Sequence, residues 1–521
     1  MPNFSEKLSE LYLNALKLVE AEVLTKLGAL ELTTDDLENK YGSKNVVKGW
    51  NFDLLTSRGL VSFNFLIKST FPLEAPLIAL NVPPKPLTFP HIEDDGILCL
   101  PRVVDCITRP VETVKKLISD SLNLLEDGFT KSNFNDFREE FDSYWLRTWS
   151  GGTQNFFSLL EPIKKSRIVS TLNSDKVIIV GEDDSSLQAW IEKYRIKGSM
   201  PLNKGGLLWL PEIPLPELYP KVNADLLILA KGSPDSLQVL DELSKDFPNS
   251  VPLIIASNSN DGLTMGGIVA HRTKVPISSF IKKAQNLNHG FRAGYVPAWV
   301  RRNRYWFNGT PVDRGKVTRA DRQWIHSRQD SEIVKGVSEA KLVLIGCGSI
   351  GGFLAKLLAS CGVGSITLID SELLTWPNIS RHFLGGRNVD KAKAESLADE
   401  LQQDYPHLSF DYRNQRWQDA FNKEPDLFST ADLIISTTGD WQSEIALNLW
   451  QRTTETPAPI IYGWMEPFAI VGHSLAVFSE GRCFNCGFDD YGMFKFRATD
   501  WKTTTLKKEP ACYNIPTLWG N

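Results

Sequence analysis

The sequence predicts a multidomain α/β protein whose last part is a doubly wound, Rossmann-like domain. Three observations predict it. The stretch KLVLIGCGSIGGFLAKLL (341–358) reads as a buried strand, a glycine-rich turn and a helix. SITLID (365–370), ADLIIST (431–437) and PIIYGW (459–464) read as further buried strands with helical stretches between them, so strand and helix alternate. At 521 residues the chain is also long enough for several domains, about three at roughly 150 residues each.

In chain order, MPNFSEKLSELYLNALKLVEAEVL is amphipathic and interrupted by acidic residues. It reads as a structural helix and not as a signal peptide, which needs an unbroken apolar core before a cleavage site. LVSFNFLIK (60–68) alternates as a strand does. Prolines at 72, 76, 83, 84, 86 and 90 then exclude helix and favour extended edges and turns. PVETVKKLISDSLNLLEDG (110–128) is a helix with Pro110 in its first turn and Gly128 after its end, and NDFREEFDSYWLRTW (135–149) is a second one. Gly151-Gly152 marks a boundary, giving an α+β domain over 1–150. A middle α/β linker domain (151–300) offers KVIIVG, ADLLILAKG and VPLIIASN as strands, with no phosphate loop and no evident nucleophile. The third domain, 301–521, opens with the charged helix RADRQWIHSRQ; its ending, PTLWGN, closes no strand or helix, so its C-terminus is expected to be incomplete.

A formal charge of −5 gives no electrostatic case for nucleic-acid binding. No apolar run approaches the roughly 18 residues that would indicate a membrane span. Seven cysteines spread thinly along the chain suit a reducing cytoplasm. In that setting they are ligands, nucleophiles or core residues.

Gly346, Gly348 and Gly351 form GxGxxG. Such a turn presents backbone N–H groups at a helix N-terminus, where anions bind. Asp370 ends the next strand nineteen residues on and suits ribose hydroxyls. The residues beyond Asp370 decide against a nicotinamide. Asn378 and Arg381 lie just past that carboxylate, Lys391 and Lys393 open a helix, and Asp440 comes directly after a buried strand. Cations for phosphate oxygens and a carboxylate for Mg²⁺ suit a nucleoside triphosphate.

With these residues in place, the segment 319–521 resembles the ThiF/MoeB-type adenylating domain of ubiquitin-activating enzymes and bacterial sulfur-carrier activators. The resemblance implies that Gly346, Gly348 and Gly351 cradle ATP and that Asp370 takes the ribose. It implies that Asn378, Arg381 and Lys393 contact phosphates and that Asp440 supports Mg²⁺. Arg322, in DRQW, falls where the family places an arginine reaching into a partner subunit, which implies a homodimer. His382 stands where the family usually has glutamine. Cys483 and Cys486 form one half of a tetrahedral Zn²⁺ site; the family's second cysteine pair does not follow in this chain. Cys512, twenty-six residues past Cys486, falls at the family's thioester-forming position. Cys347 and Cys361 are most simply core residues.

Upstream, FPLEAPLIALNVPPKPLTFPHIEDDGILCLP (71–101) resembles the ubiquitin-conjugating fold, with Gly96-Ile97-Leu98-Cys99-Leu100 matching its active-site signature. Cys99 would then be the conjugating cysteine, and the expected fold of 1–150 is ubiquitin-conjugating-like. The eukaryotic family's His-Pro-Asn element is absent, leaving His91 or a backbone N–H to replace the asparagine. The three parts together look like the activating–conjugating fusion family of CBASS anti-phage operons. That resemblance implies a cGAS-like nucleotidyltransferase as carboxylate donor, a thioester relay from Cys512 to Cys99, and an unidentified amine acceptor. Two other readings compete: a sulfur-carrier adenylyltransferase with an appended binding domain, which needs no Cys99, and a non-catalytic scaffold.

Overall fold

In a computed structural model, the structure describes residues 4–101, 105–174, 177–193, 201–245, 248–259, 262–273, 306–326, 332–466, 469–489 and 494–496. The fold is mixed α/β. It divides into two compact units: Met1–Phe156 with Lys164–Ile168 and Lys204–Val317, and Phe157–Ile163 with Val169–Asn203 and Thr318–Asn521. Among the described residues no helix is long and apolar enough to cross a membrane.

The first unit begins with helix α1 (Phe4–Val19) and an antiparallel sheet in the order β1 (Leu30–Glu31), β2 (Val46–Thr56), β3 (Gly59–Lys68), β4 (Leu77–Leu80). Helix α2 (Thr34–Tyr41), held by a Thr33–Asp36 capping box, separates β1 from β2. Trp50 and Phe52 of β2, and Phe63, Phe65 and Ile67 of β3, alternate inward. They share one core with α1 and with α3 (Pro110–Thr130), as period-two strands on a helical layer must. Pro110 opens α3 as expected, but the helix runs through Gly128 and ends at Lys131, whose φ is +63°. A Cβ on Gly128 would lie 2.7 Å from the Phe89 ring. That glycine therefore admits an aromatic ring and caps nothing. The second predicted helix is two separate turns, Asp136–Glu139 and Phe141–Tyr144, broken at Glu140.

The rest of this unit places β5 (Leu202–Trp209) parallel to β6 (Ser250–Ser259), followed by an antiparallel hairpin to β7 (Gly262–His271) and by β8 (Asp313–Gly315). ADLLILAKG, expected as a strand, lies largely in helix α4 (Asn223–Ala230), which precedes α5 (Pro234–Ser244). The Asp225 carboxylate accepts from the backbone N–H of Lys221 and Val222, satisfying donors at the helix entrance. Short apolar runs do not distinguish a buried strand from a helix, and that local polar bond decides. Arg314 is 4% exposed. Its guanidinium stacks on Trp149, Trp145 and Tyr219 and donates to the Pro220 carbonyl at 2.9 Å.

The second unit is built on a six-stranded sheet. Its strands are β9 (Lys341–Ile345), β10 (Ser365–Ile369), β11 (Ser409–Arg413), β12 (Leu433–Ser436), β13 (Ile460–Met465) and β14 (Gly472–Val477), in the spatial order β11-β10-β9-β12-β13-β14. The first five run parallel and β14 antiparallel. The order reverses between β9 and β12, which is the switch point where open α/β sheets bind ligands, beyond the strands' carboxyl ends. Helix α7 (Ser349–Ser360) buries Gly351, Gly352, Ala355 and Ala359; small side chains let it sit close to the sheet.

Candidate active sites

At the switch point, the turn after β9 shows why each glycine is needed. Gly346 has φ +88°, a conformation that L side chains disfavour. A Cβ on Gly351 would fall 1.9 Å from the Gly346 carbonyl oxygen, whereas one on Gly348 would meet nothing within 4 Å. The first and third glycines close the turn. The second leaves open space at the N-terminus of the twelve-residue helix α7, where N–H groups and the dipole favour an anion. Asp370, at the end of β10, accepts from the Cys347 N–H at 2.7 Å and the Glu372 N–H at 2.8 Å. Burial pushes its carboxyl up despite these bonds.

The other predicted residues fall into two groups. Lys393 opens helix α8 (Lys393–Asp404), is buried, and places its Nζ 2.5 Å from Glu372 Oε2. Asp440 begins helix α9 (Trp441–Thr453), accepting the Gln442 N–H at 3.1 Å while staying exposed. Its second oxygen, without a hydrogen-bond partner among the described residues, is a hard ligand of the kind Mg²⁺ takes beside phosphates. Asn378 and Arg381 share one short helical turn. Asn378 Oδ1 accepts from the Thr375 N–H and hydroxyl, and exposed Arg381 donates to the Pro377 carbonyl. Arg322, in helix α6 (Arg322–His326), donates to the backbone carbonyls of Ser338 at 2.7 Å and of His407. His382 is buried. Its Nδ1 accepts the Leu384 N–H, so its Nε2 carries the proton and donates to the Cys347 carbonyl at 2.6 Å. Burial lowers its pKa, so the ring is a neutral strut beneath the glycine turn. Cys347 is a core residue, but Cys361 is exposed: it caps the C-terminus of α7, where the chain leaves the core.

Sequence reasoning missed Glu444. It lies in the first turn of α9 and is 5% exposed. Its Oε1 accepts from the hydroxyls of Ser436 at 3.0 Å and Thr438 at 2.7 Å. Burial pushes the carboxyl up to about 7. A glutamate in the polar opening of a helix looks like a solvated residue, and only the fold shows otherwise.

In the first unit, Gly96–Leu98 lies along β4: the Leu80 N–H donates to the Gly96 carbonyl and the Leu98 N–H to the Ile78 carbonyl. Gly96 has φ +88°, and a Cβ there would fall 2.5 Å from the Leu80 carbonyl oxygen, so only glycine fits. Cys99 follows, exposed, with its N–H on the His91 carbonyl at 2.8 Å. His91 has φ +59°. Its Nε2 lies 2.9 Å from Asp136 and its Nδ1 3.5 Å from Glu140, while its N–H donates to the Tyr144 hydroxyl. Asp136 therefore orients the ring through Nε2, and Nδ1 faces Glu140. Glu93, also missed, sits with Oε1 4.0 Å from Cys99 Sγ and Oε2 2.6 Å from Lys44 Nζ. The Cys99 thiol is pushed up, first by the surrounding protein and then by Glu93 and Glu140, against Arg147 and Lys44. Cys106 is buried and its thiol is raised to about 11 by burial, which makes it a core residue.

Residues 320–512 match the ThiF family, and residues 20–150 match prokaryotic E2 family B. The chain joins a prokaryotic E2 domain to a ThiF domain. Among curated relatives, the ATP-dependent ubiquitin transferase-like protein Cap2 of Vibrio cholerae is 37% identical over 128 residues, 24% of this chain and 21% of that one. The protein of the same name from Pseudomonas aeruginosa is 28% identical over 193 residues, 35% of this chain and 33% of that one. The matches thus span a fifth to a third of those relatives. E. coli MccB with AMPCPP and MccA covers 29% of this chain and 45% of that chain at 22% identity and a TM-score of 0.26. Within the ThiF domain, Cys483 and Cys486 place their sulfurs 3.6 Å apart, a spacing that fits two corners of a tetrahedral Zn²⁺ site. Among the described residues no third ligand joins them. Cys512 lies outside the described residues.

Proposed function

We propose that the chain activates a protein C-terminal carboxylate with ATP and passes it to an amine through two cysteines. The carboxylate donor is a cGAS-like nucleotidyltransferase in a CBASS anti-phage operon, and the protein works as a cytoplasmic homodimer. Residues 301–521 adenylate, 1–150 conjugate and 151–300 link them. The observation that carries the reading is the switch point of the ThiF domain. An open glycine turn, the Asp370 carboxylate and the strand-end Asp440 meet there at the carboxyl ends of β9, β10 and β12.

In the first step the turn's N–H groups and the α7 N-terminus hold the triphosphate, and Asp370 takes the ribose. Lys393, Arg381 and Asn378 take phosphate oxygens. Asp440 would hold Mg²⁺, which would supply positive charge against the phosphates. The substrate carboxylate attacks the α-phosphorus, pyrophosphate leaves, and an acyl-adenylate forms; most of the rate comes from positioning and charge neutralisation. Cys512 as thiolate then displaces AMP. Cys99 attacks the resulting thioester and takes the acyl group, releasing the Cys512 thiol; an amine then attacks the Cys99 thioester, forming an amide and expelling the Cys99 sulfur. Joining both cysteines in one chain raises their effective concentration.

The test is a non-reducing gel with intact-mass readout, using the full chain, the operon's nucleotidyltransferase, ATP and Mg²⁺. A thiol-sensitive adduct whose Cys99 component disappears in Cys99→Ala, with pyrophosphate release retained, supports the relay. Pyrophosphate release without any adduct on Cys99 sinks it and favours the sulfur-carrier reading.

A further inference from the structure

Glu444 has no place in the adenylation and transfer steps, yet it organises the loop that carries Asp440. Residues 436–440 leave β12 and form the second wall of the glycine turn. Thr437 donates its hydroxyl to the Gly346 carbonyl at 2.8 Å and its N–H to the Ile345 carbonyl. A Cβ on Gly346 would sit 3.0 Å from the Thr437 carbonyl carbon, so loop and turn are packed against each other. Thr438 Oγ1 accepts the Asp440 N–H at 3.3 Å, and Gly439 between them has φ +64°. Two donors from this loop converge on the Glu444 carboxylate: the Ser436 and Thr438 hydroxyls. The Glu444 N–H in turn donates to the Asp440 carbonyl at 2.9 Å. Glu444 Oε2 is buried with no partner among the described residues, and so is the nearby Tyr462 hydroxyl. A buried carboxylate with an unmatched oxygen is costly. A leucine would fill such a helix face more cheaply, so packing alone does not account for the residue.

We propose that Glu444 is a positioning residue for adenylation: through Thr438 it fixes the 436–440 loop so that the exposed Asp440 carboxylate meets the metal–triphosphate. The inference rests on the proposed adenylating function and on Asp440 as the metal-supporting group. It adds a residue that touches neither nucleotide nor metal. The link is acceptor chemistry: Glu444 Oε1 holds the Thr438 hydroxyl, which leaves that oxygen's lone pairs facing the Asp440 N–H.

The test is calorimetric titration of the full chain with ATP, once in excess Mg²⁺ and once in EDTA. The readout is the factor by which Mg²⁺ tightens binding. General damage to the fold weakens both affinities together, whereas misplacement of Asp440 removes the Mg²⁺-dependent factor alone. Glu444→Ala is expected to shrink that factor about tenfold, the worth of one charge-assisted hydrogen bond, with the EDTA affinity held within about threefold. Glu444→Gln keeps an acceptor oxygen and restores most of the factor. Thr438→Val matches Glu444→Ala in overall shape of effect, and the double variant Glu444→Ala/Thr438→Val is no worse than either single change. A full Mg²⁺ factor in Glu444→Ala, an equal loss in both titrations, or multiplying losses in the double variant would each overturn the proposal. If Glu444→Ala does not fold, Thr438→Val decides alone, and an unchanged factor there overturns it. Wild-type protein that binds ATP without any Mg²⁺ factor removes the Asp440 assignment and this inference with it. Wild-type protein that binds no ATP removes the adenylating function itself.

Discussion

Glu444→Gln should stabilise the ThiF domain at alkaline pH and change it little at acid pH. The wild-type carboxyl is raised from 4.5 to about 7 by burial, against the Thr438 and Ser436 hydroxyls that favour its charged form. A carboxyl raised on folding keeps a proton that the unfolded chain has already released. Stability therefore falls as pH rises from the unfolded value through the folded one, and the full deficit is present above it. The rise corresponds to about 3 kcal/mol at about 1.4 kcal/mol per pH unit. Glutamine cannot ionise, keeps an oxygen for the two hydroxyls, and puts its amide where Oε2 already lacks a partner. The variant should match wild type near pH 4 and exceed it by about 3 kcal/mol near pH 8. The domains need not unfold together, so the assay is amide hydrogen exchange across 436–453, corrected for intrinsic rates and converted to local opening free energies. A wild-type-to-variant difference that stays flat from about pH 4 to about pH 8 refutes the reasoning: Glu444 would then not titrate near neutrality.

Gly351→Ala should abolish ATP binding measured by titration, because the added carbon lands 1.9 Å from the Gly346 carbonyl oxygen; binding within about threefold of wild type would mean that the turn is not the phosphate cradle. Arg314→Ala removes cation–π contact with three rings and a 2.9 Å bond to Pro220, and should cost the first unit about 3–5 kcal/mol in urea unfolding. A cost below about 1 kcal/mol would show that the aromatic cage stands without its cation. Glu93→Gln removes the second largest influence raising the Cys99 thiol, so iodoacetamide should alkylate Cys99 faster near pH 8; an unchanged rate would mean that Glu93 does not hold the thiol up.

What could be read from the sequence divides by the range of the interaction involved. The strands after 340, the glycine turn and the helix at Pro110 depend on neighbours a few residues away, and the structure places them as expected. Local reading failed where a contact from another segment decides, and also where one local pattern admits two structures. Gly128 looked like a helix stop because its contact with Phe89 is made by another segment. Residues 135–149 have helical spacing, yet Glu140 breaks them into two turns, beside His91. ADLLILA satisfies a strand pattern and a helix pattern alike, and Asp225 settles it from within the helix. The site shows the same division. Cys99, Asp370 and Asp440 are candidates by motif and position alone, whereas Glu444 and Glu93 look like ordinary surface charges until the fold buries one and brings the other to a sulfur.

That division bears on how Cys99 would work in the proposed relay. Its motif marks a nucleophile, but its surroundings hold the proton on: the protein mass, Glu93 and Glu140 outweigh Arg147 and Lys44. At rest the thiol is therefore a poor attacker, since the thiolate is the reactive form. A basic thiol also makes a poor leaving group. The two effects act in opposite parts of the proposed relay. The first slows uptake of the acyl group, and the second protects the finished thioester from water while it waits for an amine. A further cation near Glu93, beside the Lys44 ammonium already 2.6 Å from it, would make the departing sulfur less basic at the moment of transfer. In the proposed relay, Glu93 would then make discharge of the Cys99 thioester sensitive to the charge of the acceptor. Glu93→Gln should weaken that sensitivity, leaving a Cys99 thioester that discharges at a rate less dependent on the acceptor's charge.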